Sequence, residues 1–149
     1  MKSTLIVSLF IFSLLLSACA SKDVSEERKA SVYHNYIEQE ALPELKQIFA
    51  FKFHSWRSLD NKHLIISTTP RQPYLITLRM SCYSLNFANR IAVNHRGSTL
   101  DAGFDSIYVP DLQKQECLIK KIYKLSKEQA QQLSLLKASG DESKESASL

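Results

Sequence analysis

Alternation of apolar and polar residues is the main pattern in the middle of the chain, and it predicts short β-strands. Over residues 48–56 it places Phe49, Phe51 and Phe53 on one side of a strand. Such a triplet is either a platform for a ligand or the half of a strand that faces the core, and we expect it to face the core. Residues 63–68 predict the returning strand of a hairpin, because the intervening Asp and Asn residues favour a turn.

The alternation resumes after two prolines. Pro70 and Pro73 are expected to interrupt the pairing and to form a loop, since proline cannot donate a hydrogen bond to a strand ladder. Residues 74–80 predict the next strand, with Arg79 on the side opposite to the apolar residues. Those apolar residues are Tyr74, Ile76, Leu78 and Met80.

Further strands follow, each bounded by residues that favour turns. They are predicted over residues 90–95, 104–109 and 117–125. Leu85 and Phe87, which precede them, are expected to pack inward. Gly103 predicts a bend or bulge. The last strand has apolar residues on both faces, which is typical of a central strand or a barrel seam.

A short helix is predicted before the β-rich region. It would run from Val32 to about Leu45, with Pro43 interrupting it. The residues before it, up to about Ser31, are mostly polar and charged, which is typical of a flexible tether.

A second helix is predicted after the last strand. Ser126 and Gln129 have the spacing of a capping box, and the helix should run to about Lys137. Its residues Leu133 and Leu136 are expected to face the sheet. Gly140 is expected to end it.

Together these elements predict a mainly β fold of the α+β class: a small antiparallel barrel or sandwich of about six strands, closed by a C-terminal helix. The expected organisation has four parts. They are a signal peptide at 1–18, a lipidated Cys with a tether and short helix at 19–45, a β-rich domain at 46–138 and a disordered tail at 139–149.

The N-terminus carries a targeting signal. Lys2 and an apolar run are followed by the sequence Leu16-Ser17-Ala18-Cys19, which resembles the lipobox of bacterial lipoproteins. The other readings are an ordinary secretory signal and a single membrane-spanning helix, but the apolar run is well short of the roughly 20 residues that such a helix needs. We therefore expect lipidation of Cys19 and attachment to the membrane through acyl chains.

The residue after the Cys predicts the location. Asp in this position is the usual inner-membrane retention signal of Gram-negative lipoproteins, and this chain has Ala20 there. The resemblance therefore implies an outer-membrane lipoprotein that faces the periplasm.

The composition restricts the classes of binding partner that we expect. The formal charge of the chain is +4 and loses only Lys2 with the signal peptide, so it is mildly basic. The densest basic group, Lys120, Lys121 and Lys124, alternates with apolar residues as a strand does rather than forming a basic stripe. We expect no nucleic-acid partner and no cofactor besides the covalent lipid.

The cysteines become an even pair once Cys19 is assigned to lipid. Cys82 and Cys117 are then expected to form a disulfide in an oxidising compartment. A catalytic thiol or a metal-binding pair are the alternatives, of which the first needs an electropositive, exposed site and the second closer spacing and further ligands.

Few residues suggest chemistry, and no phosphate loop, nucleophile elbow or zinc-protease motif occurs. His54 and His63 flank the first hairpin and with Asp60 could form a metal site if the register brings them together; we expect solvated histidines and no metal. Asp101 and Asp105 could act as an acid and base pair, although a bend in which they cap loop amides is the simpler interpretation.

Arg79 is the remaining candidate. Its position opposite an apolar strand face suits either a ligand for an anionic group or a partner for Asp101 or Asp105, and we expect the salt bridge.

The order of several short motifs adds a resemblance to a family. It spans roughly residues 48–133 and rests on these segments: Trp56-Arg57-Ser58-Leu59-Asp60, Leu64-Ile65-Ile66, Tyr74 to Leu78, Cys82 with Leu85, Phe87 and Ala88, Ala102 to Ile107, and Cys117 with Ile119 and Ile122. The chain is similar to a family of small Gram-negative lipoproteins that carry one domain of unknown function. The resemblance implies a β-rich periplasmic domain, supports the Cys82–Cys117 pairing and implies no activity.

Three functional hypotheses follow. The preferred one is a non-catalytic binding or structural module that contacts an envelope protein, cell-wall material or a small ligand. The second is a hydrolase-like periplasmic enzyme that uses Asp101, Asp105 and a His. The third is a metal-handling protein. Convergence of the candidate residues on one pocket would favour an enzyme.

Overall fold

A computed structural model describes residues 31–110 and 115–145, with side chains to Ser139. The predicted signal peptide, Cys19, the predicted tether before residue 31 and the end of the predicted tail lie outside these residues. Within the described ranges, no helix is both long enough and apolar enough to cross a membrane.

The described chain contains short strands between two helices. Helix α1 covers residues 31–39 and α2 covers Lys127–Glu145, and a 3₁₀ helix lies at Tyr83–Phe87. The strands are β1 Glu44–Leu45, β2 Gln47–Ile48, β3 Ser55–Ser58, β4 His63–Thr69, β5 Gln72–Leu78, β6 Ala92–Asn94, β7 Leu100–Asp101, β8 Ser106–Tyr108 and β9 Cys117–Lys124.

The strands form a curled antiparallel sheet that resembles half a barrel. Its main path within the described residues is β3-β4-β5-β9-β8-β6, with β1 also paired to β9, while β2 and β7 form a separate ribbon. The prediction of a mainly β fold with about six strands and a C-terminal helix is confirmed. The last predicted strand is central, since β9 pairs with both β5 and β8.

Apolar residues on the two faces of the sheet form two core clusters. The inner cluster includes Leu64, Ile66, Ile76, Ile107, Ile119 and Ile122, all fully buried. The outer cluster includes Ile65, Leu75 and Tyr123, which are covered by Tyr33 of α1 and Leu133 of α2. The two clusters follow from alternation, because successive residues of β4 and β5 point to opposite faces.

The predicted disulfide is confirmed. Cys82 and Cys117 are bonded, with their Cα atoms 5.8 Å apart, and both are buried in the inner cluster. The bond joins the chain that follows β5 to the first residue of β9.

The predicted capping box is present at the start of α2. The Ser126 hydroxyl accepts a hydrogen bond from the Gln129 N–H at 3.1 Å, and the Gln129 side chain accepts one from the Ser126 N–H at 2.9 Å. Leu133 faces the sheet, as expected, whereas Leu136 is 37 % exposed.

The predicted end of α2 is wrong. The helix continues through Gly140 to Glu145 instead of ending there. A glycine inside a helix costs only about 1 kcal/mol relative to alanine, and the following residues include the helix formers Glu and Lys.

The strand predicted over residues 48–56 is interrupted. β2 ends at Ile48, and Ala50 has a left-handed φ of 48°, so the backbone turns before β3 begins at Ser55. Phe51 is buried, but Phe49 is 73 % exposed and Phe53 is 44 % exposed. The expectation that all three aromatic rings face the core is therefore wrong, because the turn destroys the alternation that would align them.

The other predictions of inward-facing residues, in and after β5, are correct only in part. Tyr74, Ile76 and Leu78 join the inner cluster as expected, but Met80 lies beyond the strand end and is 74 % exposed. Phe87 is 79 % exposed, whereas Leu85 on the same 3₁₀ helix is buried.

Pro70 lies in the turn between β4 and β5 as predicted, but Pro73 does not. Pro73 lies inside β5 opposite Ser67 rather than in a loop. It is tolerated next to the register shift between Ser67 and Thr69, where the ladder is already irregular.

Removal of the disulfide should destabilise the domain strongly. We expect the double variant Cys82→Ala/Cys117→Ala to lose about 4 kcal/mol of unfolding free energy, because a constraint across 35 residues disappears from the unfolded chain. Urea unfolding measures this loss. A reductant should destabilise the natural protein similarly and leave the double variant unchanged; a natural protein that does not respond to the reductant would contradict the prediction.

Candidate functional site

The candidate residues from the sequence do not converge on one pocket. His63 is 5 % exposed at the start of β4, while His54 is exposed and its N–H donates to the Ser67 carbonyl near the other end of that strand. The pairing of Ser58 with Leu64 fixes this separation. The register therefore keeps the two histidines apart, and no group of three metal-binding side chains occurs among the described residues.

Asp60 and His63 form a buried polar pair. The His63 Nδ1 atom lies 2.9 Å from Oδ2 of Asp60, and Asp60 is 4 % exposed. The Asp60 Oδ1 atom also accepts hydrogen bonds from the N–H groups of Lys62 and His63, both at 2.6 Å. The pair thus holds the β3–β4 turn, as an Asx turn does, and is too buried to meet a substrate.

Asp101 and Asp105 shape the bend around Gly103. The Asp105 carboxylate accepts the Asp101 N–H at 2.7 Å and is 3 % exposed, while Thr99 donates to Asp101 Oδ2 at 2.8 Å. Gly103 has a φ of +87°, which favours glycine. Both carboxylates are used by the loop itself.

Arg79 stands apart from these acids. Its side chain is exposed, and its N–H donates to the Leu118 carbonyl at 2.9 Å. Within the described chain, no salt bridge joins Arg79 to Asp101 or Asp105. The predicted pairing is absent because Arg79 follows β5, whereas both acids belong to the bend on the far side of β9.

A cleft between α2 and the outer face of β3 and β4 is a better candidate for binding. Its volume is about 720 Å³. Strand β3 contributes Ser55, Trp56 and Arg57, and β4 contributes Ile65 and Ser67. The other described lining residues are Pro70, Pro73, Lys127, Ala130, Gln131, Ser134 and Leu135.

The local structure explains why the cleft stays open. Leu133 of α2 packs into the outer cluster, whereas Gln131 and Leu135 on neighbouring faces of the helix do not reach the sheet. The Lys137 ammonium donates to the Ser58 carbonyl at 2.9 Å. Contacts at Leu133 and Lys137 therefore hold the helix above β3 without filling the space beside it.

The charged residues among the described lining of the cleft are all cationic. Arg57 and Lys127 are exposed on opposite walls, and neither has a salt-bridge partner among the described residues. None of the described lining residues is acidic. A cleft lined by cations alone concentrates anionic groups, and Ile65, Pro73 and Leu135 add apolar surface.

Two charged groups outside the cleft have partners that change their pKa. Lys121 donates to Glu44 at 2.9 Å, and this hydrogen bond is the main cause that raises the pKa of Lys121. At the start of α2, a hydrogen bond from its own backbone N–H, followed by one from Ser126, lowers the pKa of Glu128. Lys127 also contributes, after these hydrogen bonds, to the lower pKa of the Glu128 carboxyl, and it remains exposed, as Arg57 does.

Sequence reasoning did not identify the cleft. In the sequence, Arg57 was named only in a family motif just after the predicted strand over residues 48–56, and Lys127 lay in the predicted helix that follows Ser126; 70 positions separate them in the chain. Only the tertiary placement of α2 against β3 and β4 reveals that they face the same space.

Comparison with known families shows the family to which the chain belongs, but that family has no assigned activity. A model of the family of unknown function DUF6491 matches residues 1–141, so the chain belongs to this family. No curated protein and no solved structure matches the chain.

The buried pair should matter for stability. We expect Asp60→Ala to lower the unfolding free energy by about 3 kcal/mol, because it leaves buried donors of Lys62 and His63 without an acceptor. Asp60→Asn keeps an acceptor for the turn and should cost less. Urea unfolding of both variants measures the difference; equal losses, or no loss from Asp60→Ala, would contradict this role.

Proposed function

We propose that this member of DUF6491 is an envelope lipoprotein whose β-rich domain works as a non-catalytic binding module. The cationic cleft between α2 and the β3–β4 hairpin is the observation that carries the proposal. Its partner is an anionic component of the cell envelope, either a protein or cell-wall material, with an apolar part that contacts Ile65, Pro73 and Leu135.

The form of the cleft supports binding rather than catalysis. The charged residues that line it are Arg57 and Lys127, and no Asp, Glu or His, the residue types most often used for proton transfer, occurs among its described lining residues. The polar groups Ser55, Ser67 and Gln131 can donate hydrogen bonds to carboxylate or phosphate oxygens. Six of the described lining residues are polar and six are apolar, so the cleft can contact both the charged and the apolar part of a partner.

The location in the cell envelope is part of the proposal and rests on the sequence. Lipidation at Cys19 would fix the domain to a membrane, and Ala20 favours the outer membrane with the periplasmic face. The disulfide supports an oxidising compartment independently, because disulfides form and persist there and are rare in reducing ones.

The anchor can be tested by labelling cells with a palmitate analogue. We expect Cys19→Ser to abolish the label and to release the protein into the soluble periplasmic fraction. The matched variant Ala20→Asp should keep the label and move the protein to the inner-membrane fraction. A labelled Cys19→Ser protein would refute the anchor, and an unmoved Ala20→Asp protein would refute the assigned membrane.

The cleft can be tested by photo-crosslinking in intact cells. A photoreactive amino acid at Gln131, which lines the cleft, should give a discrete crosslinked product. The charge reversals Arg57→Glu and Lys127→Glu together should reduce its yield about tenfold, equivalent to about 1.4 kcal/mol. Both positions are exposed, so the melting temperature should stay nearly unchanged.

Two controls make this test specific. The same photoreactive group at Lys52, an exposed position outside the cleft, should not give the product. The charge reversal Arg96→Glu, at an exposed position that does not line the cleft, should leave the yield from position 131 unchanged. Identical products from positions 52 and 131, or a yield that survives the double reversal, would overturn the role of the cleft.

A further inference from the structure

The molecule exposes apolar side chains at one end. Met80, Tyr83 and Phe87 are 74 %, 63 % and 79 % exposed and lie within eight residues of each other after β5. We call them the Met80–Phe87 patch. The fold holds them outward, since Cys82 and Leu85, which alternate with them, are buried in the inner cluster.

The patch is fixed to the β3–β4 turn. The Cys82 N–H donates to the Asn61 carbonyl at 2.7 Å, the Asn86 amide donates to the Asn61 side chain, and the Leu78 N–H donates to the Lys62 carbonyl at 2.7 Å. The disulfide ties the same segment to the start of β9. The patch is therefore a rigid surface and not a mobile loop.

The first described residues of the chain reach the same turn. The Tyr33 ring lies 5.2 Å from the His63 ring between centroids, and its hydroxyl donates to the Leu59 carbonyl at 3.5 Å. Leu59 and His63 flank the β3–β4 turn, and this turn is hydrogen-bonded to the segment that carries the Met80–Phe87 patch. The chain thus enters the domain at the end that carries the patch.

Because the chain enters the domain at the end that carries the patch, the proposed lipid anchor at Cys19 is expected to lie near that end. Twelve positions separate Cys19 from Ser31, so a fully extended chain could span at most roughly 40 Å between them. We propose that the Met80–Phe87 patch docks on the lipid surface into which Cys19 is anchored, which orients the domain with its β3–β4 turn toward the membrane. The inference rests on the proposed lipidation.

Charge and tethering both favour this occupant. Lys62 in the turn is half-buried, and Arg79 beside Met80 is exposed; both bring positive charge to the patch, and anionic headgroups attract such residues. The exposed Tyr ring is suited to the headgroup region, and the exposed Phe ring is suited to the boundary between headgroups and acyl chains. A tethered surface docks as an intramolecular event at high effective concentration, so a small patch suffices.

The orientation also positions the cleft. Ser67 and Pro70 lie toward the opposite end of β4 from His63, and four strand residues span about 13 Å. With the turn at the membrane, the part of the cleft that these residues line faces away from the lipid, where a partner can reach it.

The test uses depth-dependent fluorescence quenching on the intact lipidated protein. The chain has one Trp, Trp56, so the variant Trp56→Phe has no tryptophan fluorescence, and a new Trp can be introduced as the only reporter. Phe87→Trp reports from the patch, and Phe53→Trp is the matched control, an exposed aromatic position before β3 at the far end of the hairpin. The vesicles contain phosphatidylethanolamine and phosphatidylglycerol with brominated acyl chains.

We expect brominated lipid to quench Phe87→Trp several-fold more than Phe53→Trp. Tyr83→Trp, a second reporter in the patch, should behave as Phe87→Trp does and replaces it if that variant does not fold. Equal quenching at the patch and control positions in a protein that carries lipid would overturn the docking alone. A protein without lipid on Cys19 would instead refute the proposed anchor.

Discussion

Strand β9 needs apolar contacts on both of its faces and strand partners on both of its edges, and the rest of the domain depends on this requirement. Ile119 and Ile122 point into the inner cluster, while Tyr123 points into the outer one. Its edges pair with β5 on one side and with β8 and β1 on the other. The inner cluster requires the sheet to curl, and the outer cluster requires both helices. The cleft arises because α2 covers only part of that outer face.

The features that the sequence predicted correctly depend on neighbouring residues. The β3–β4 hairpin follows from Asp and Asn between two apolar runs, and the capping box follows from Ser126 and Gln129 alone. The disulfide was predictable because a pair of cysteines remained once Cys19 was assigned to the predicted lipid anchor. These inferences need no knowledge of distant contacts.

The failures share a different cause. The strand over residues 48–56 has a convincing alternation, but the short pairing of Ile48 with Leu100 competes with it and turns the chain at Ala50. Phe87 and Met80 are apolar residues whose exposure is set by the disulfide and the Asn61 contacts. The cleft was not predictable, because Arg57 and Lys127 become neighbours only when α2 folds back onto β3 and β4.

The outer cluster is built from the two ends of the domain. Tyr36 of α1 donates to Gln132 of α2 at 2.7 Å, and Gln129 donates to Glu40 at 3.3 Å. The most N-terminal and most C-terminal described elements thus meet over a sheet whose central strand is the last one in the sequence. Such a chain has few stable partial structures while it is being synthesised, since β5 waits for β9 and α1 waits for α2. For a protein that we propose to cross a membrane, these long-range contacts slow folding, because they can form only after the whole chain has been made.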